Sequence, residues 1–180
     1  MILVSICSII FSHIYFINRK IMNTKKKTSA KMILMLTEFS NRDKNATDAA
    51  LKLAAKLGLN LMLLHAYPLT GNEHSNAQIE NTKYLSEIDR HFENEKKRLL
   101  ELLKINHESS FQPIIKSCSG EGSLSDNVCV ILEKEDIVMI VMGGRPARNN
   151  DYLFCTEIDE ILYKTHRPVL IIPEKIGLEI

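Results

Sequence analysis

Lys31-Met32-Ile33-Leu34-Met35-Leu36-Thr37-Glu38-Phe39-Ser40-Asn41 is the stretch on which the fold turns. A strand with one wet face alternates apolar and polar side chains. The unbroken run Met32 to Leu36 instead predicts a strand covered by protein on both faces, as in a parallel sheet. The polar residues after it make a turn and offer Ser40 and Asn41 as helix N-caps. Ala46, Ala49, Ala50, Leu53, Ala54 and Leu57 then recur at helical spacing, and Gly58 is placed to end that helix.

The same alternation continues along the chain. Leu59 to Ala66 reads as a second strand, and residues 67–81, polar and holding Pro68 and Gly71, as a loop. Thr82 to Ile105 reads as a long helix with Leu85, Ile88, Phe92, Leu99 and Leu103 along one stripe. Phe111 to Ser117 predicts a third strand, with Pro113 suggesting an edge position. Ser119-Gly120-Glu121-Gly122-Ser123 predicts a turn, followed by a helix with Leu124, Val128, Ile131 and Leu132 inward. Ile137 to Met142 predicts the fourth strand, with a loop from Gly143. Thr156 to Thr165 predicts the last helix, with Ile158, Ile161 and Leu162 inward, and Val169 to Ile172 the fifth strand. Strands alternating with helices define an α/β domain: an open, mostly parallel sheet with helices on both faces. Ligands of such sheets bind beyond the carboxyl ends of the strands, where the strand order reverses. The loops after Leu36, Ala66 and Met142 qualify.

The chain has 180 residues, enough for one domain and a leader. At 45% apolar it can build a core, which excludes wholesale disorder. Its formal net charge of +1 gives no broad attraction for a polyanion, which argues against nucleic acid as a partner. Cys7, Cys118, Cys129 and Cys155 lie far apart, without zinc-ligand or disulfide-framework spacing, and suit a reducing cytoplasm.

Residues 1–30 stand apart as a leader. Twelve of positions 2–17 are apolar, and Arg19, Lys20 and Lys25 to Lys27 follow them. A secretory signal places its charge before the apolar run, and a spanning helix needs about 20 apolar residues. Three readings stay open: translation upstream of a start at Met22, a weak membrane anchor, or an extra packed or partner-binding segment. Each leaves the domain of residues 31–175 in the cytoplasm, with 176–180 as a tail.

No G-x4-G-K-[S/T], G-x-G-x-x-G, G-x-S-x-G or H-E-x-x-H spacing is present. His65, on a strand, reads as a packed residue and His91 as a solvated one. No general base or nucleophile is visible, and no metal site.

Four segments in order resemble the universal stress protein family. Ile33 to Ser40 resembles its opening strand and "P-T-D-F-S" turn. Leu63-Leu64-His65-Ala66-Tyr67 is similar to its second strand, and Ile137 to Gly143 to its fourth. Arg167 to Pro173 is similar to its last strand. The resemblance implies a Rossmann-like, adenine nucleotide alpha-hydrolase-like domain with five parallel strands in the order 3-2-1-4-5. It also implies a homodimer joined through the last strand, here Val169, Leu170, Ile171 and Ile172. Some members bind ATP through a loop of the form G-x2-G-x9-G-[S/T]. Glycines there let the backbone approach phosphates, and helix N-terminal amides donate to them.

Carried over, that implies a nucleotide site of Thr37, Glu38, Ala66, Gly143, Gly144, Arg145, Arg148, Cys155 and Thr156, with ATP or another adenine nucleotide and magnesium as the ligand. The sequence departs from the pattern. Gly143 matches the first glycine, but the second falls on Pro146 or on a one-residue deletion. Counting back from Pro168 puts the third on Cys155 and its hydroxyl partner on Thr156. Glu38 stands for the family's Asp, Leu36 for its Pro and Ala66 for its Val. Three functional readings follow. One is a dimeric cytoplasmic signalling or stress-response module, with an unknown protein partner, that has lost or altered nucleotide binding. The second is an ATP-binding or slowly hydrolysing protein in which Glu38, Arg145 and Thr156 hold phosphates and metal. The third is a purely structural dimerisation or interaction module.

Overall fold

All five side chains of the first strand, β1 (Met32–Leu36), are buried. The computed structural model, which describes residues 30–41, 43–68, 77–105, 110–144 and 156–173, shows what covers them. From β1 the chain continues through α1 (Asp43–Leu57), β2 (Asn60–Tyr67), α2 (Ala77–Ile105), β3 (Ile115–Glu121) and α3 (Leu124–Lys134). It ends with β4 (Ile137–Gly144), α4 (Thr156–Thr165) and β5 (Val169–Pro173). The five strands form one sheet in the order β3-β2-β1-β4-β5, with every neighbouring pair parallel.

The two-residue period of the strands sorts the core into two layers. Ile33 and Met35, with Leu61, Leu63, Val141 and Ile172, pack under α1 and α2 through Ala46, Ala50, Ala54, Phe92 and Leu99. Met32, Leu34 and Leu36, with Met62, Leu64, Ile140 and Met142, pack on the other side against Val128, Ile131, Ile158 and Ile161 of α3 and α4. Each Val, Leu, Ile, Phe or Met among them contributes about 1.5–3 kcal/mol by leaving water. The alanines of α1 keep its buried face small, so the helix lies close to the sheet. Arg98 of α2 then ties the two helices of that layer, with Nη2 at 2.6 Å from both Asp48 Oδ1 and Glu95 Oε1.

The larger differences from the sequence reading lie at the second helix and the third and fourth strands. The second helix starts at Ala77 rather than Thr82, inside what reads as loop. The third strand is Ile115–Glu121 rather than residues 111–117. Pro113 has no amide to donate, and the ladder to β2 begins where the Ile114 carbonyl accepts from Leu61. The expected turn at Ser119 to Glu121 is the end of that strand, paired to His65, Ala66 and Tyr67. Gly143 and Gly144, expected to open a loop, still belong to β4 because β5 runs alongside to Pro173. At the ends of α1 and α4, Gly58 and His166 adopt positive φ, 67° and 49°, and stop the helices. No helix among the described residues is long and apolar enough to cross a membrane. The apolar run at residues 2–17 lies outside them.

A polar bracket joins the end of β3 to the start of α3. Asn127 Nδ2 donates to the carbonyls of Glu121, at 3.1 Å, and Ser123, at 2.9 Å. Ser123 caps the helix by accepting from the Asp126 amide. A Cβ on Gly120 would lie 1.7 Å from Asn127 Oδ1, so the glycine leaves the space this side chain occupies. Gly120→Ala is therefore expected to lower stability by about 1–2 kcal/mol through the lost hydrogen bonds. Asn127→Ala is expected to cost a similar amount. Urea denaturation of the double variant is expected to show less than the sum of the two, since both remove the same bracket.

Candidate functional site

The strand order reverses between β1 and β4, so the crevice beyond their carboxyl ends is where an open sheet of this kind holds a ligand. Leu36 pairs with Met142, which leaves Thr37 and Gly143 as the next residues outward on adjacent strands. One carboxylate organises this place. Asp43, buried at the start of α1, accepts at Oδ2 from the Glu38 amide at 2.8 Å and the Ser40 amide at 3.2 Å, with the Thr37 hydroxyl at 3.4 Å. Its Oδ1 faces the other strand: a Cβ on Gly143 would lie 2.9 Å from it. Asp43 Oδ1 thus occupies the space that the missing side chain of Gly143 leaves.

The turn between Thr37 and Asp43 is held at a cost. Phe39 has φ 58°, in the left-handed region that a non-glycine residue occupies at about 1 kcal/mol or more. Two contacts offset this. The Phe39 amide donates to Thr37 Oγ1 at 2.9 Å, and the ring is bracketed by His65, His91 and Phe92, with centroids at 4.8, 5.1 and 4.8 Å. His65 also approaches the Thr37 carbonyl with Nδ1 at 2.8 Å, and a carbonyl only accepts, so Nδ1 carries the proton. His65 is packed, as the sequence suggested. His91, read as merely solvated, stacks on Phe39 while remaining exposed.

The sequence-derived residues divide clearly. Thr37, buried, and Glu38, exposed, form the turn after β1. Ala66, half-buried, lies near the end of β2, and Gly143 and Gly144 end β4. Thr156 opens α4. Arg145, Arg148 and Cys155 lie outside the described residues. Val169, Leu170 and Ile171 are half-buried in β5, an edge strand paired to β4. The residue that sequence reasoning missed is Asp43. Its signal was present: Ser40-x-x-Asp43 has the spacing of a capping box, in which the later side chain reaches back to the earlier amide.

On the α1–α2 side of this turn a cleft of about 270 Å³ opens, lined by Thr37, Asp43, Lys44, His91, Asn94 and Arg98. Its guanidinium is already satisfied, because the hydrogen bond to Glu95 holds its charge more firmly than usual. Two further groups resemble catalytic devices and are not. Ser125 Oγ accepts from Lys164 Nζ at 2.9 Å and donates to Glu160 at 2.8 Å. Lys164 is also bound to Asp126, which raises its pKa, so it keeps its proton and serves as a tie between α3 and α4. Burial pushes the Cys118 thiol up to about 11, which leaves it unreactive at neutral pH.

The chain belongs to the universal stress protein family, whose sequence profile matches residues 30–173. Its fold is similar to that of a universal stress family protein from Burkholderia pseudomallei, at 18% identity over 79% of this chain and 95% of that one, with a TM-score of 0.58. It is similar to a universal stress protein solved in complex with cAMP, at 15% identity over 82% of this chain and 99% of that one, with a TM-score of 0.55. A universal stress protein from Archaeoglobus fulgidus matches at 16% identity over 79% and 98%, with a TM-score of 0.52. No curated protein matches the chain at a significant level.

Asp43 supports the β1–α1 turn by accepting from the amides of Glu38 and Ser40. Asp43→Ala is expected to lower unfolding free energy by about 2–3 kcal/mol, read by urea denaturation. Asp43→Asn, which keeps one accepting oxygen, is expected to lose under half of that.

Proposed function

We propose that this universal stress protein is a cytoplasmic signalling module that binds an adenine nucleotide in an altered manner, acts without turnover and works as a homodimer. The carrying observation is the crevice between Thr37 and Gly143. It lies at the reversal of strand order, and its β4 wall is bare backbone. A similar fold solved with cAMP supports the adenine class. The alteration rests on the sequence after β4, where Pro146 and Cys155 stand at glycine positions of the family loop. Proline removes an amide donor, and a cysteine side chain occupies room that a phosphate needs. Gly143, Gly144, Thr37 and Ala66 then hold base and sugar, and Arg145, Arg148 and Thr156 meet phosphate as charges and a hydroxyl. The reading without turnover is supported by the sequence after β4, where Pro146 and Cys155 break the family's glycine loop.

The dimer reading is supported by β5. It closes the sheet at one edge, and Val169, Leu170 and Ile171 are only half-buried there. An open edge strand is a ready template for a second copy. Two experiments test the proposal. AMP at about ten times its Kd is expected to raise the melting temperature by about 2–5 °C, and ATP with magnesium is expected to release no phosphate above a protein-free blank. If no adenine nucleotide shifts the melting point, a module without nucleotide remains. Phosphate release would instead identify an enzyme. For the dimer, Ile171→Glu is expected to move the size-exclusion peak from dimer to monomer with an unchanged circular dichroism spectrum. An unaltered elution volume would place the contact elsewhere.

A further inference from the structure

We propose that the apolar run of residues 2–17 packs on the amino end of the sheet of its own chain, covering apolar side chains that stand open there.

Three observations carry it. First, open apolar surface gathers at that end. Of the ten large apolar side chains exposed among the described residues, five flank the starts of the strands. Leu57, 54% exposed, closes α1, and Ile105, 72% exposed, closes α2. Phe111 and Ile114, the latter 63% exposed, lie on the approach to β3, and Val138 lies just inside β4. A bulge leaves Val138 open: Met32 pairs with Ile137 and Ile33 with Met139, so the ladder to β1 skips it. The pairing of β4 with β5 starts only at Ile140.

Second, residues 1–29 join the domain in the middle of this rim. Hydrogen bonds run across it. The Ile114 amide donates to Asn60 Oδ1 at 2.9 Å, and the Asn60 amide to the Lys31 carbonyl at 3.0 Å. On the other side the Met32 amide donates to the Asp136 carbonyl at 2.9 Å. The chain therefore enters between Leu57 and Ile114 on one side and Val138 on the other. Neighbouring strands lie about 4.8 Å apart, so both sides are close to the entry. Residues 18–29 are the tether. A flexible chain of that length has ends about 20 Å apart and reaches about 40 Å at most. The run is thus held beside the rim at an effective concentration of roughly millimolar order.

Third, the run suits a protein surface better than a bilayer. It is shorter than the about 20 apolar residues that a spanning helix needs. Ser5, Ser8 and Ser12 recur at spacings of three and four, which on a helix sets them along one side. A segment packed on a protein turns such a side to water, and a spanning helix gains nothing from it. The charges of Arg19, Lys20 and Lys25 to Lys27 fall in the tether, outside the contact.

Cys7 lies within the run and reports on it. Iodoacetamide alkylation of the full chain, followed at the Cys7 peptide by mass spectrometry, is expected to be about tenfold slower in buffer than in urea. An intramolecular contact keeps that protection through dilution. Leu57→Asp combined with Ile114→Asp is expected to bring the rate in buffer up to the urea rate, with an unchanged circular dichroism spectrum. Should that pair not fold, Ile105→Asp, at the most open of the five positions, is expected to raise the rate in the same direction. Equal rates in buffer and urea overturn the proposal, as does protection that survives substitution of the rim in a folded variant. Protection lost on dilution assigns the contact to a second copy and overturns it too. The full chain is also expected to stay unbound when mixed with vesicles of phosphatidylcholine and phosphatidylglycerol. Flotation with them would give the run to a membrane instead.

Discussion

The central strand has no face left for water. β1 lies between β2 and β4, and its side chains alternate into two separate apolar layers. Neither layer closes without helices, so α1 and α2 must cover one side and α3 and α4 the other. Removing either pair would expose a run of Met, Ile and Leu at the middle of the sheet. The parallel pairing depends on this too, because its crossovers are the helices that supply the cover.

A strand so enclosed can change direction only at its ends. At the carboxyl end of β1 the chain leaves the core within a few residues and enters α1. The amides exposed by that sharp exit are gathered by Asp43, and the backbone strain at Phe39 is absorbed by rings from β2 and α2. The turn is thereby anchored to three elements. A loop held this firmly on a rigid sheet suits recognition, since a ligand meets groups already in place.

The reading from sequence succeeded where burial leaves a pattern. Met32 to Leu36 is apolar throughout because both faces are covered, and the alanines of α1 mark its packed face. It failed where polarity has two meanings. Ala77 to Asn81 looked like loop because the segment is polar, yet Ala, Gln and Glu also favour helix. The edge strand β3 was set four residues early, since its apolar residues precede Pro113 while its hydrogen bonds begin after it. The strand order came from family resemblance; periodicity alone does not carry it. At the site, Gly143 was legible as a glycine after a strand. Asp43 was missed because the search at that turn was for N-cap oxygens at Ser40 and Asn41. Its hydrogen bonds to residues 37–40 are local, but its contact with Gly143, one hundred residues away, is encoded by no local spacing.

That long-range dependence links two positions of the chain. With an aspartate at 43, a side chain at 143 would meet its carboxylate at 2.9 Å and one of the two must shift; a smaller residue at 43 would remove that contact. Substitutions at the two sites are therefore not independent in their tolerance. Among relatives of this fold, the identity of the residue opening α1 is expected to covary with the presence of a side chain at the end of β4. The pair would then act as a readable mark of which members keep an acid beside the crevice.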